Sequence, residues 1–201
     1  MITLLDSEVG AIRKYSDRLS GKIIDLGGGA TTFENATTVV DLNECERQDV
    51  RLVRGDLCAP NTYAQFQDKE FDGAWCNHTL EDLYDPFIVL RQIQRIAKRG
   101  LIGVPHWTRE ITVQDVRSDW EHICGWPHHF WLVGINRETG VLEFYPKQSW
   151  LVYGERPWTT ANINLEWDGG ELPYKNIYHE YNDLMRRDRL VAWLESRWLT
   201  E

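Results

Sequence analysis

The sequence predicts an α/β protein: a doubly wound, mostly parallel sheet with helices on both faces, then an aromatic-rich insertion and a C-terminal helical segment. Three observations predict it. Short aliphatic runs, each closing on an acid, an asparagine or a glycine, recur through the first hundred residues. A strongly amphipathic helix stands between the last two of these runs. Acids and glycines collect at the carboxyl ends of the runs (Asp25, Asp41, Asp56, Asn77), which is where open parallel sheets hold ligands.

In chain order, "DSEVGAIRKYSDRLSG" reads as a first amphipathic helix with Val9, Ile12, Tyr15 and Leu19 on one face. Asp6 or Ser7 can cap it and Gly21 can stop it. "KIIDLG" is a buried strand closed by glycine, "TTVVDLN" (37–43) a β-branched strand ending in an acid, and "VRLVRGDL" (50–57) an alternating one. "FDGAWCNHTL" (71–80) is the fourth. "DPFIVLRQIQRIAKRG" predicts a helix: Asp85 caps, Pro86 sits in the first turn, Ile88, Leu90, Ile93 and Ile96 share a face, and Gly100 ends it. "LIGVPH" returns as the fifth strand.

From Trp107 to Trp167 the character changes, since seven of the ten tryptophans lie there. "FWLVGINRETGVLEFYP" reads as a hairpin turning at "NRETG", while 107–127 gives no clean pattern. Beyond Gly170 one or two helices are expected, with Leu190, Trp193, Leu194 and Trp198 on a shared face. The expected organisation is a core over 1–106, an aromatic insertion over 107–170 that would bind the acceptor, and a helical segment over 171–201.

Length and composition narrow the class. The chain has 201 residues, 42% apolar and 26% charged, an ordinary composition for one domain with a sizeable insertion. A net charge of −9 argues against bulk nucleic acid or anionic lipid as partner, and the short basic stretches at 51–54, 91–99 and 186–189 read as solvated faces. No run approaches the ~18 apolar residues of a membrane span. The N-terminus, with Asp6 and Glu8, does not read as a signal peptide. Four cysteines without a C-x-x-C pair read as thiols of a cytoplasmic protein.

The three glycines of "IIDLGGGATTF" ask for an explanation, because glycine at a strand end costs backbone entropy unless positive φ or close approach requires it. A glycine corner between strand and helix lets main-chain amides face a nucleotide. About fifteen residues after Gly27, at the next strand end, stands Asp41, which can accept both hydroxyls of a ribose. A dinucleotide fingerprint G-x-G-x-x-G fails, since Thr32 holds the third glycine's place, and no phosphate loop G-x-x-x-x-G-K-[ST] occurs.

"DLGGGATTF", "VVDLN", "VRGDL" and "FDGAWCNHTLEDLYDPF" together resemble the successive motifs of class I S-adenosylmethionine-dependent methyltransferases, closest to the small-molecule, type 11-like branch whose fourth strand leads into "LEH…DP". The resemblance covers Lys22 to His106, about half of the chain. It implies a Rossmann-like core with S-adenosylmethionine as cofactor. On this resemblance Asp25, Gly27, Gly28 and Gly29 form the loop that holds the methionine part of the cofactor. Asp41 would bind the ribose, with Leu42 packed on adenine. Asp56 would lie near the adenine amino group beside Leu57, and Asn77 and His78 near the methyl-donor end. Two departures stand out: the link from Ala30 to Thr38 is short, and Asp82 occupies the place of the branch's usual histidine.

Methyl transfer needs alignment of donor and acceptor and, for a hydroxyl acceptor, a base. His78 and His106 are the candidates at strand ends; His122, His128 and His129 fall in the insertion, and each could equally be a packing residue. Their spacing matches no zinc pair, so no metal is expected. Tryptophan faces suit sugar rings or other flat ligands, and would serve equally as an aromatic core or a homodimer contact. "CNHT" stands where base and glutamine N-methyltransferases carry N-P-P-[YF], which lowers N-methylation. The expectation is a small-molecule or glycan acceptor methylated at oxygen; the alternative is a catalytically inactive methyltransferase fold that binds or scaffolds.

Overall fold

Ile23, Ile24, Asp25 and Leu26 are all buried, so this segment can only be an interior strand covered on both faces. The computed structural model, which describes residues 2–5, 7, 11–111, 125–148, 162–178 and 187–199, has this strand at the centre of a sheet. The strands are β1 (Ile2–Leu4), β2 (Ile23–Leu26), β3 (Thr38–Asp41), β4 (Arg51–Arg54), β5 (Gly73–Asn77), β6 (Gly100–Pro105), β7 (Trp131–Ile135), β8 (Leu142–Pro146), β9 (Asn162–Trp167) and β10 (Tyr174–Asn176). Contacts divide the chain into two units. The first comprises Met1–Asp6, Gly10–Val104 and Asn164–Leu172; the second comprises Ser7–Val9, Pro105–Ile163 and Pro173–Glu201.

The large sheet runs β1-β9-β6-β5-β2-β3-β4. The pairs β2–β3, β3–β4, β2–β5 and β5–β6 are parallel, and β1–β9 is antiparallel. The chain winds outward from β2 to β4, then returns to β5 on the other side of β2, so the switch of direction lies between β2 and β5. The mostly parallel, doubly wound sheet is thus as expected. The segment 162–167, which lies in the aromatic stretch of the sequence, supplies β9 to this sheet.

What joins the strands is shorter than the expected helices. The first predicted helix is a 3-10 helix, Ala11–Arg18, with Ile12 and Leu19 buried; Asp6 and Val9 lie outside the described residues. A single 3-10 turn, Gly29–Thr31, links β2 to β3. The α-helix of this unit is α1 (Pro86–Ile96). The Asp85 side chain accepts the Phe87 N–H at 3.1 Å and Pro86 opens the first turn, as predicted. Its buried face is Val89, Leu90, Ile93 and Ile96. Ile88, expected on that face, is half-buried because it lies one residue off the stripe. The helix ends at Ile96, and Gly100 opens β6 rather than stopping the helix. One core cluster joins Ile12, Leu19, Ile23, Phe33, Val39, Trp75 and Leu101, with Phe33 and Trp75 stacked at 4.2 Å between ring centroids. Such a pair contributes ~1 kcal/mol beyond its buried area.

In the second unit β7 and β8 form the predicted hairpin, and β10 adds to β8 in parallel. Asn136 Oδ1 accepts the N–H groups of Glu138 and Thr139, both at 3.0 Å, which pins the turn. With α2 (Trp107–Glu110) and α3 (Arg187–Arg197), these strands close on Trp107, Leu132, Tyr145, Leu190, Val191, Leu194 and Trp198. Trp193, expected on the buried face of α3, packs only at its margin, and Val191 takes that place. Trp107, Trp131 and Trp167 are at most 8% exposed, so these three tryptophans are core rather than a stacking surface. Trp120, Trp150, Trp158, His122 and Cys124 lie outside the described residues.

Candidate functional site

The carboxyl ends of β2, β3, β4 and β5 meet at one cavity of about 320 Å3, within the first unit. That volume is at the small end of the ~300–1,000 Å3 typical of small-molecule sites. Gly27, Asp41, Leu42, Asn43, Asp56, Leu57, His78, Thr79, Asp82 and Leu83 line it. Of the residues proposed from the sequence, Gly27, Asp41, Leu42, Asp56, Leu57 and His78 are therefore brought together. Asp25, Gly28, Gly29 and Asn77 are not among the described lining residues.

The glycine corner has a specific construction. Gly27 has φ +85°, and its N–H donates to Val40 O at 2.9 Å. A Cβ at Gly27 would come within 2.4 Å of Thr79 Oγ1, and that hydroxyl donates to Leu26 O at 3.1 Å. Gly28 has ordinary backbone angles, but a Cβ there would stand 2.1 Å from Asp25 Oδ2. The Asp25 carboxylate lies directly beneath the loop, 1% exposed, and accepts the Phe33 N–H at 2.7 Å. Its other oxygen, Oδ1, is buried with no hydrogen-bond partner among the described residues. Burial, reinforced by the nearby charge of Asp41 and opposed by the Phe33 hydrogen bond, pushes its pKa up to about 7. Asp25 supports the loop from within rather than lining the cavity.

Asp41 ends β3 at 8% exposure; its Oδ1 accepts the Asn43 N–H at 2.7 Å, and the other oxygen lies on the side of Gly29. Beside it Leu42 is 63% exposed, a large apolar side chain left to solvent at the cavity wall. Asp56 Oδ1 accepts the Cys58 N–H at 2.8 Å, and its carbonyl accepts the Thr62 hydroxyl at 2.7 Å, which fixes the corner after β4. Asp41, Asp56 and Asp82 all face the cavity, and its described lining residues include no lysine or arginine. Such a wall suits a ligand that is cationic and rich in hydroxyls, and repels polyphosphates.

His78 follows β5 with φ +52°, a left-handed conformation that costs a non-glycine residue roughly 1–2 kcal/mol. Its N–H donates to Gly103 O at 2.8 Å, and its Nδ1 lies 3.2 Å from Glu81 Oε1. Asn77 points into the sheet: its Oδ1 is buried with no described partner, and a Cβ on Gly103 would sit 2.2 Å from it. His106, the other histidine proposed as a base, belongs to the second unit. It caps α2, 6% exposed, with Nδ1 2.7 Å from Thr108 Oγ1 and Nε2 2.9 Å from Leu199 O. Both ring nitrogens have structural partners, and the residue caps α2.

Asn43, Thr79, Asp82 and Leu83 line the cavity, and Glu81 contacts His78, without having been assigned from the sequence. For 79–83 the signal was weak: "TLEDL" simply follows the fourth strand. In the second unit, His129, another insertion histidine, is buried. Its Nδ1 is 2.7 Å from Glu110 Oε1, and Lys147 Nζ is 2.7 Å from Glu110 Oε2. Burial pushes the Glu110 carboxyl up, but the His129 hydrogen bond and the Lys147 charge outweigh it and hold the carboxyl below its usual range.

Residues 24–102 match the family model described as a methyltransferase domain. No curated protein matches the chain. Among solved structures, an S-adenosylmethionine-dependent methyltransferase from Archaeoglobus fulgidus is 24% identical over 49% of this chain and 52% of that one, with a TM-score of 0.42. An S-adenosylmethionine-dependent methyltransferase from Mesorhizobium loti is 18% identical over 52% and 56%, with the same TM-score of 0.42. A match over 79% of this chain and 88% of the other, at 14% identity and a TM-score of 0.43, is to the complex between the Haloferax volcanii Trm112 methyltransferase activator and a methyltransferase. The chain spans about half the length of the first structures it matches. The segment that matches the model begins inside β2 and ends inside β6, and contains every described residue that lines the cavity.

Proposed function

We propose that this chain is an S-adenosylmethionine-dependent methyltransferase that methylates an oxygen of a small-molecule or glycan acceptor. The observation that carries the reading is the acidic, glycine-cornered cavity at the strand ends inside the segment matched by the methyltransferase model. When bound, S-adenosylmethionine supplies an electrophilic methyl group on a sulfonium. The chain's own residues fit such a donor. Gly27, with its positive φ and no side chain, brings main chain to the cavity wall, where a donor can approach closely. Asp41, with one oxygen held by the Asn43 N–H, keeps the other for sugar hydroxyls. Leu42 and Leu57 offer apolar contact to a base, with Asp56 between strand and loop to accept from an amino group. The carboxylates of Asp41, Asp56 and Asp82 favour the donor's positive charge. His78, on the cavity wall, takes the acceptor's proton. Asp25 and Asn77 act from behind, by shaping the corner.

One feature favours the alternative of an inactive, binding-only fold. The link after the glycines is a three-residue 3-10 turn, which offers less helix terminus to a ligand carboxylate than a full helix would. Transfer of labelled methyl from S-adenosylmethionine to a panel of sugars, nucleotide sugars, phenols and carboxylic acids separates the two. Product from a hydroxyl acceptor supports the enzyme; donor binding with no product across the panel supports the inactive reading. Among the described residues no helix is long and apolar enough to cross a membrane. A cytoplasmic place and a homodimer are part of the same proposal.

A further inference from the structure

We propose that Glu81 is the positioning residue of a carboxylate–histidine pair, holding His78 in the tautomer and orientation in which it accepts the acceptor's proton. This rests on the methyltransferase reading above, in which His78 takes the proton, and adds Glu81, which that reading does not require. Glu81 sits in the 3-10 turn Leu80–Asp82, 1% exposed. Burying a carboxylate costs several kcal/mol unless something compensates. Here the described partner is the His78 ring: Oε1 lies 3.2 Å from Nδ1, while Oε2 is buried with no partner among the described residues. No lysine or arginine ion pair to Glu81 occurs among the described residues.

The backbone points the same way. Among the described residues His78 is one of two non-glycines with positive φ, and the strain falls where β5 delivers the residue to the cavity wall. Strain of this kind persists where the surroundings over-determine it, and it gathers at working sites. A carboxylate on Nδ1 retains that nitrogen's proton, leaves Nε2 as the acceptor, and stabilises the imidazolium once the proton has moved. In the transfer step the acceptor's O–H bond breaks and its proton goes to Nε2. The oxygen bonds the donor's methyl carbon as the carbon–sulfur pair stays with sulfur, and the proton then passes from Nε2 to solvent.

The charged and titratable groups around His78 within its unit are Glu81 and Asp82 from the same turn, Asp41 from β3, Asp56 after β4 and Cys76 from β5. Burial, and then the Glu81 charge, push the Cys76 thiol well above its usual range, which marks how close that carboxylate lies to β5. All but Glu81 are unchanged by Glu81→Gln, so the variant isolates one charge.

The test is nitrogen NMR of the full chain with 15N-histidine, without donor. The expected result is that the neutral form of the His78 ring carries its proton on Nδ1. With donor and a responsive acceptor, kcat of Glu81→Gln falls ~10–100-fold while donor affinity is unchanged. A wild-type ring protonated at Nε2 overturns the pair. If Glu81→Gln does not fold, the wild-type tautomer alone decides. Because the spectra need no donor, failure of the pair and failure of the methyltransferase reading are told apart by whether S-adenosylmethionine binds.

Discussion

Asp25 is a buried carboxyl beneath the glycine corner, with its pKa pushed up by burial. Its pKa of about 7 in the fold, against an ordinary 3.8, means that the folded protein keeps a proton that the unfolded chain has already lost between those values. The native state therefore binds more protons, and stability falls as pH rises through roughly 4 to 7, by as much as ~4 kcal/mol, then levels off. Asp25→Asn keeps an acceptor for the Phe33 N–H and removes the titration. The stability difference between wild type and this variant, from denaturant melts, should change across that window and be flat on either side; a difference independent of pH would contradict the buried, protonating carboxyl. The neighbouring Gly28 is explained by the same carboxylate. Its backbone tolerates alanine, but the new methyl meets Asp25 Oδ2, so Gly28→Ala should cost ~1–3 kcal/mol. In an Asp25→Ala background most of that cost should vanish, and an equal cost in both backgrounds would mean that the loop, not the carboxylate, resists the methyl.

At the scale of elements, local chemistry decides α1 and distant contacts decide the rest. Asp85, Pro86 and a stripe of apolar residues specify that helix on their own, and Asp85→Ala should cost ~1 kcal/mol by chemical denaturation with donor affinity unchanged. No loss of stability would show that the cap is idle. The strand ends were legible for the same reason: Asp41 and Asp56 stand directly after β-branched or alternating runs. Glu81 was not legible, because its importance comes from burial beside His78 across a turn, which no spacing reveals. Nor was β9, whose place in the large sheet depends on partners far away in the chain. His106 looked equivalent to His78, since both follow strands. Only the fold assigns one to a cavity wall and the other, through Thr108 and Leu199, to a helix cap.

For the whole molecule, the parallel sheet brings the ends of four strands together and lines their meeting point with carboxylates. The net charge of −9 is of the same sign as the three carboxylates of the cavity wall. The central claim is that this corner binds S-adenosylmethionine with its ribose on Asp41. Calorimetric titration of S-adenosylmethionine into wild type and Asp41→Ala tests it most directly. The account predicts saturable binding to wild type and a ~10–100-fold weaker affinity for the variant, the loss of charge-assisted hydrogen bonds worth ~1–3 kcal/mol. Equal affinities for the two folded proteins, or no heat with either, would contradict it.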